Sequence, residues 1–512
     1  MVRLSQAAAV TVTALVLLAH AAPAAFSAPT AAPPGQASKL TKGVTVGGIM
    51  EHLRALQAIA DANGGTRAAG TPGYDDSVAY VVQRLRTAGY DPVVQNFPFP
   101  YYEKLGASSF SRTAPTATTF VEGVDFDTIN YSGSGAVSGT VQAVDVNFAN
   151  PSVITSGCEA ADFAGFTAGN VALLQRGTCT FEDKIQNATE AGAVGVIIFN
   201  QGNGAGRSGL LTGVTASSPR AIPVVTTTFA LGQQLAAPGT AVAITTNTIS
   251  ETRQVANVLA DTPRGDDGKV TVVGAHLDSV VEGPGINDNG SGSGAILEIA
   301  EEMAENNIKP RNTVRFAWWG AEEAGLVGSE FYVDSLSEDE LDDIALNLNF
   351  DMLGSPNYAR LVYDGDGSDT GGAGPPGSAA IEQVFRDYFA RRGLPVLATE
   401  FSGRSDYGPF IAPGIDIPAG GLFSGAEQRK TQEQFELFGG TLGGQLDPCY
   451  HEACDTIANV DQTILDQMAD AAAFATVTFA FSKASVTETT SRPGKGKSRA
   501  GNFARKGSHF IK

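Results

Sequence analysis

Val270-Thr271-Val272-Val273-Gly274-Ala275-His276-Leu277-Asp278 is the stretch on which the fold turns. Up to Ala275 it carries no charge and is dominated by valine, the composition of a strand buried on both faces of a parallel sheet. It ends on a histidine, and an aspartate follows two residues on. In extended chain that spacing puts both side chains on the same side. A carboxylate so placed can orient the imidazole, as the outer partners of metal-bound histidines do.

Downstream the pattern repeats. Gly283-Pro284-Gly285 turns the chain, and Asp288 precedes Asn289-Gly290-Ser291-Gly292-Ser293-Gly294. A helix is expected next, with Ile296, Ala300 and Met303 at helical spacing. The strand Thr313 to Trp319 leads into Gly320-Ala321-Glu322-Glu323, and the strand Leu346 to Phe350 ends in Asp351. A Glu-Glu pair by itself is most often a solvated turn. Three successive strands ending in imidazole or carboxylate are another matter, because the carboxyl edge of an open α/β sheet is where ligands bind. The adjacent Glu322 and Glu323 invite a division into one ligand and one base.

The chain has only five histidines. His20, His52 and His509 fall in a leader-like run, a helix and a tail. His451 sits in Cys449-Tyr450-His451-Glu452-Ala453-Cys454, where a disulfide would present the imidazole and the Tyr450 phenol rigidly. The assembled set is His276, Asp288, Glu323, Asp351 and His451. Mixed nitrogen and oxygen ligands suit zinc, and one bridging carboxylate would hold two ions about 3.5–4 Å apart.

At 512 residues the chain exceeds one core, which stops growing near roughly 250–300 residues. Helices are expected over Ile49–Ala62 and Tyr74–Ala88, with a strand over Pro92–Phe97. From about Tyr101 to Ala241 the texture changes to short β runs with Gly, Ser and Thr turns, including strands at Val171–Leu174 and Val194–Phe199 and a helix at Ile185–Gly192. After Glu251 strands alternate with helices. The expected fold class is α/β, a mostly parallel central sheet flanked by helices and interrupted by a smaller β-rich unit. The expected boundaries are 43–100 and 251–483 for the α/β domain and 101–250 for the insertion.

The ends read differently. Residues 1–28 have the form of an export signal: Met1-Val2-Arg3, an apolar run from Ala7 to Ala19, and small residues before cleavage at Ala24 or Ala28. Residues 29–42, rich in Ala and Pro, are expected to be a flexible leader, and no later segment is expected to be long and apolar enough to span a membrane. Residues 484–512 are expected to be a disordered basic tail, with seven Lys or Arg and no acid from Arg492 onward. The formal charge of −20 argues against nucleic acid as a partner. Four cysteines in an exported chain point to disulfides. They allow three pairings, of which the local ones, Cys158–Cys179 and Cys449–Cys454, are favoured.

The motifs Gly274-Ala275-His276-Leu277-Asp278-Ser279, Gly283 to Ser293, Arg315-Phe316-Ala317-Trp318-Trp319-Gly320-Ala321-Glu322-Glu323, Asn349-Phe350-Asp351-Met352 and Cys449-Tyr450-His451 together resemble the M28 family of zinc aminopeptidases, in its secreted bacterial branch. The likeness runs from about Gly43 to Ser482 with one interruption. It implies a zinc exopeptidase fold, two zinc ions, and peptide or protein substrates cut at the N-terminus, by a monomer outside the cell and off the membrane. It further implies that Asp288 bridges the ions, His276 and Asp351 completing one site and Glu323 and His451 the other. Glu322 would be the general base, Asp278 the orienter of His276, and Tyr450 a donor to the oxyanion. Gly403-Arg404-Ser405-Asp406 resembles the family's substrate loop, and Phe423 part of its apolar specificity pocket. The interruption resembles a PA (protease-associated) domain through Gly169 to Phe181, Lys184, Ala188 and Ala191-Gly192-Ala193. Asp466 and Asp470 match half of a calcium site found in some members. Gly43 stands where an acid would complete it, so calcium is carried only halfway.

Rival readings have less behind them. No Gly-x-Ser-x-Gly stands at a strand–helix turn to support a serine hydrolase. Gly372-x-Gly374-x-x-Gly377 fits a dinucleotide fingerprint formally, but Pro375 and Pro376 spoil the helix start it needs. A carboxypeptidase or dipeptidase on the same scaffold would accept an N-acetylated peptide. A binding protein that had lost the chemistry would not retain all five ligands and the base.

Overall fold

The computed structural model describes residues 34–483, so the expected signal, the start of the leader and the basic tail lie outside it. Two eight-stranded sheets carry the chain. The first contains β1 (Val93–Lys104), β2 (Thr248–Asp261), β3 (Asp266–His276), β4 (Asn312–Trp319), β5 (Ile344–Phe350), β6 (Leu361–Tyr363), β7 (Leu397–Thr399) and β8 (Ala419–Phe423). Their order is β1-β2-β4-β3-β5-β8-β6-β7. The centre, β4, β3, β5 and β8, is parallel, while β1 and β2 add an antiparallel edge and β6 turns back on β8. Every residue from Val270 to His276 and from Leu346 to Phe350 is buried, so the first run is almost wholly apolar, while in the second the polar members of the alternation, Asn347 and Asn349, are buried too.

Helices close over this sheet: α1 (Pro34–Gly43), α2 (Val46–Ala62), α3 (Pro72–Thr87), α4 (Gly292–Glu305), α5 (Ser378–Arg391) and α6 (Gln462–Phe481). In α2 the buried face is Ile49, Leu53, Leu56 and Ala60. It begins three residues before its first apolar repeat because the Thr45 hydroxyl accepts the Gly48 N–H and caps the helix there. One core joins Leu53, Ile296, Phe350, Phe385, Met468 and Phe479.

Three expectations need correction. The leader is not flexible throughout, since 34–43 forms α1, with Leu40 fully buried and Lys39 donating to the Asn306 carbonyl at 2.5 Å. The strand expected to end at Phe97 continues to Lys104, because it pairs along its whole length with β2, a segment far away in sequence. And α6 is long and apolar enough to cross a membrane, though 72% of its most apolar window is buried inside the protein. Its alanines pack in the core, and Asp466 and Asp470 break the apolar run in sequence.

The second sheet is built from strands between Ser109 and Thr246. Of its two α-helices, Phe181–Glu190 and Phe229–Leu235, the first starts at a capping box of Thr180 and Asp183, four residues ahead of the expected start. Cys158 and Cys179 are bonded in this unit. The chain leaves the first sheet after Lys104 and returns at Thr248, and these two residues are register partners in the β1–β2 ribbon. The insertion therefore hangs from one antiparallel pair.

Candidate metal centre

Strand register collects the site. His276 pairs beside Trp319 and Gly274 beside Asn349, so His276, the Gly320–Glu323 turn and Asp351 emerge together at the carboxyl edge. Asp288 comes from the turn Ile286–Ser291 just before α4. Gly285 makes that turn feasible: its φ is +60°, and a Cβ there would lie 2.4 Å from the Asp288 carbonyl oxygen. His451 arrives from the loop closed by the Cys449–Cys454 bond and has φ +58°, an uncommon conformation for a residue with a side chain.

The five side chains meet in two groups. Asp288 Oδ1 lies 3.2 Å from His276 Nε2, and Asp288 Oδ2 lies 3.3 Å from His451 Nε2. Asp351 Oδ1 is 3.4 Å from His276 Nε2, and Glu323 Oε2 is 2.9 Å from His451 Nε2. Glu322 reaches to 3.9 Å from His276 Nε2. Asp278 is fully buried, with Oδ1 3.6 Å from His276 Nδ1, and its carboxylate accepts the N–H groups of Glu322 and Glu323 at 3.1 and 3.3 Å.

Charge in this group is out of balance. Burial pushes the Glu322 carboxyl well above its usual range; His276 opposes the shift, and Asp406, Glu323 and Asp351 add to it. Glu323 is raised to about 8, by burial first and then by Asp288. For His451 burial opposes the charged form, yet its bonds to Asp288 and Glu323 lift it to about 10. Protons here do what a divalent cation would do better. Glu323 Oε1 and Asp351 Oδ1 are buried without any hydrogen-bond partner. Such atoms are costly unless something takes their lone pairs. The donor set and these two free oxygens fit divalent metal.

Around this centre, Ser405 donates to Asp351 Oδ2 at 2.6 Å and is itself held by Asn349 at 2.8 Å. The Tyr450 ring stacks on His451 with centroids 3.8 Å apart. Arg404 donates to the Tyr450 hydroxyl at 3.2 Å and to Glu427 at 2.7 Å. Phe423, at the end of β8, lines the cleft together with Met352, Tyr363 and Gln428, and the lining residues all fall between 288 and 451. Asp470 lies 3.7 Å from Arg392, so a cation already faces that acid. The glycine-rich segment around 372–377 is a loop ahead of α5.

Several supporting residues escape sequence reasoning. Asp455 accepts the N–H groups of both Asn287 and Asp288 at 2.9 Å, one on each oxygen, and so holds the turn that presents Asp288. Asp447 accepts from the Asn287 side chain at 2.6 Å. The fully buried Arg67 donates to the carbonyls of Leu277, Pro284 and Gly285. Asp455 directly follows Cys454, which is a signal of position only. Arg67 gives none.

Comparison with known proteins identifies the family and the inserted unit. A model of peptidase family M28 matches residues 257–476, and a PA domain model matches residues 140–235. An aminopeptidase of Pseudomonas aeruginosa is 48% identical over 474 residues, covering 91% of this chain and 88% of that protein. Leucine aminopeptidase 2 of Trichophyton tonsurans is 41% identical over 419 residues, covering 81% of this chain and 80% of the relative. Among solved structures, an aminopeptidase from Aneurinibacillus sp. strain AM-1 superposes with a TM-score of 0.56 at 25% identity, over 90% of this chain and 100% of that one.

Proposed function

The chain belongs to peptidase family M28 and is a metallo-aminopeptidase, and from that premise we propose that it holds two zinc ions and removes N-terminal residues, large apolar ones in preference, from peptides outside the cell. The observation that carries this reading is the position of Asp288, whose two oxygens each face a different imidazole. His276 and Asp351 would hold one ion, Glu323 and His451 the other, and Asp288 both. Bound zinc would supply Lewis acidity to the attacking water and to the scissile carbonyl.

The protein's own groups do the rest. Glu322, ionised beside bound cations and made more basic by its burial, takes the proton from water and passes it to the departing amine. Asp278 holds His276 in orientation and fixes the backbone of the base. Tyr450 donates its hydroxyl proton to the oxyanion, and Arg404, donating to the same oxygen, leaves that proton free to point into the cleft. The substrate's free α-amine meets the acids of the centre, so cleavage starts at the N-terminus. Phe423, Met352 and Tyr363 offer an apolar seat for the first side chain, in keeping with the leucine in the name of the Trichophyton relative. Two disulfides and the apolar start favour an oxidising compartment. The chain acts as a monomer, and the inserted unit acts as lid or substrate selector.

Hydrolysis of leucyl-nitroanilide tests this reading. A chelator should abolish activity and zinc restore it, an N-acetylated substrate should be refused, and Glu322→Gln should keep its zinc while kcat falls by ~10²–10⁴. Turnover of the acetylated substrate, or near-normal turnover by Glu322→Gln, would refute it.

A further inference from the structure

Away from the cleft, α2 and α4 enclose a second group of converging ligand atoms. His52 is 1% exposed, and its Nε2 has no hydrogen-bond partner. That nitrogen faces Glu298 Oε2 at 3.6 Å and Glu301 Oε2 at 3.7 Å. The two glutamates are three residues apart on α4 and so share one helix face.

Each of the three is oriented from behind. His52 Nδ1 meets the Tyr80 hydroxyl at 2.8 Å. Arg84 grips both oxygens of Glu301 at 2.6 and 2.5 Å. Glu298 Oε1 accepts the Thr45 N–H at 3.3 Å, at the cap of α2. His52 and Glu298 are thus each held through one atom while another faces the common centre, and Glu301 Oε2 faces it with one lone pair while accepting from Arg84 with the other, the arrangement of outer partners that surrounds metal ligands.

We propose that His52 Nε2, Glu298 Oε2 and Glu301 Oε2 bind a divalent cation of the zinc class, at a structural site that clamps α2 against α4. Ligand atoms at 2.0–2.2 Å from one tetrahedral ion are roughly 3.3–3.6 Å apart, so the imidazole nitrogen is already within a few tenths of an ångström of that spacing from each carboxylate, and all three atoms lie within 4.8 Å of one another. The spacings between the His276 nitrogen and its acids, 3.2 and 3.4 Å, are of the same order. Charge favours the ion as well. Glu298, Glu301, Glu302 and Glu305 crowd one helix, and Glu302 is pushed up by burial and then by Glu298 and Glu305. Arg84 is the permanent cation bonded into this group, and metal sites built from facing helices commonly draw on such carboxylate and imidazole sets.

The test is a zinc-edge anomalous difference map of the unmutated full chain equilibrated with zinc. A peak about 2 Å from His52 Nε2 and both glutamate oxygens is expected. Peaks at the cleft with none here would overturn the proposal, leaving an imidazole paired with two carboxylates. As a second arm, His52→Gln should carry about one zinc fewer per chain than the unmutated protein, with kcat unchanged. Equal zinc in the two proteins would also overturn it. The count is a difference, so it holds however many ions the cleft takes.

Discussion

Asp278 and Glu322 are joined through the backbone: Asp278 Oδ1 accepts the Glu322 N–H at 3.1 Å while standing 3.6 Å from His276 Nδ1. Asp278 thereby meets both the proposed ligand and the proposed base, its main-chain carbonyl oxygen lying 3.2 Å from His276 Nδ1. Asp278→Asn keeps the shape but turns one acceptor into a donor facing N–H groups. We expect kcat to fall about 10–100-fold with KM little changed, since outer partners of metal ligands carry effects of that size. Steady-state kinetics with zinc analysis checks it; unchanged kcat would remove Asp278 from the account.

Asp455→Ala would strand two buried N–H groups at the turn carrying Asp288. Leaving buried donors unsatisfied costs ~1–3 kcal/mol each. Stability in denaturant should drop by about 2–5 kcal/mol, with zinc more easily stripped by chelator. A loss under about 1 kcal/mol would show that the turn holds itself.

How much of this is legible in the sequence follows from where each partner lies. Val270–His276 is readable because burial on both faces leaves an uninterrupted apolar run, and Glu322, Glu323 and Asp351 because parallel register brings successive strand ends to one edge. Asp455, Arg67 and the full length of β1 are not readable, since each is defined by a partner more than a hundred residues away. His52 reads as an ordinary helical residue until α4 is folded against it. Helix α1 is hidden in an Ala- and Pro-rich run, where Leu40 alone marks the buried face.

Metal affinity should depend on pH with a definite sign. In the protein without metal, burial and Asp288 raise Glu323, and the bonds to Asp288 and Glu323 raise His451, so the pair binds protons more tightly than a solvated Glu and His would. An ion must displace those protons, so raising the pH favours the metal-bound form. Chelator competition should show zinc bound at least tenfold more tightly at pH 8 than at pH 6. Equal affinity at the two values would contradict this charge balance.

The insertion should be removable. Because Lys104 and Thr248 are register partners, replacing 105–247 by a two-residue Asn-Gly turn closes a β1–β2 hairpin. The shortened protein should fold, keep its cleft zinc and hydrolyse leucyl-nitroanilide within about tenfold of the full chain, because every cleft-lining residue lies between 288 and 451. The expected difference is in longer peptides, where a lid or selector would matter. A protein that folds but turns over no small substrate would place the unit inside the active site.

The shared carboxylate of Asp288 is the centre of the account, and counting zinc in Asp288→Ala against the unmutated chain, with circular dichroism to verify the fold, tests it most directly. The expected result is a folded protein with about two zinc ions fewer per chain and no measurable aminopeptidase activity. A folded variant that keeps its full zinc complement, or that loses one ion and goes on turning over substrate, would contradict a centre in which one aspartate holds both.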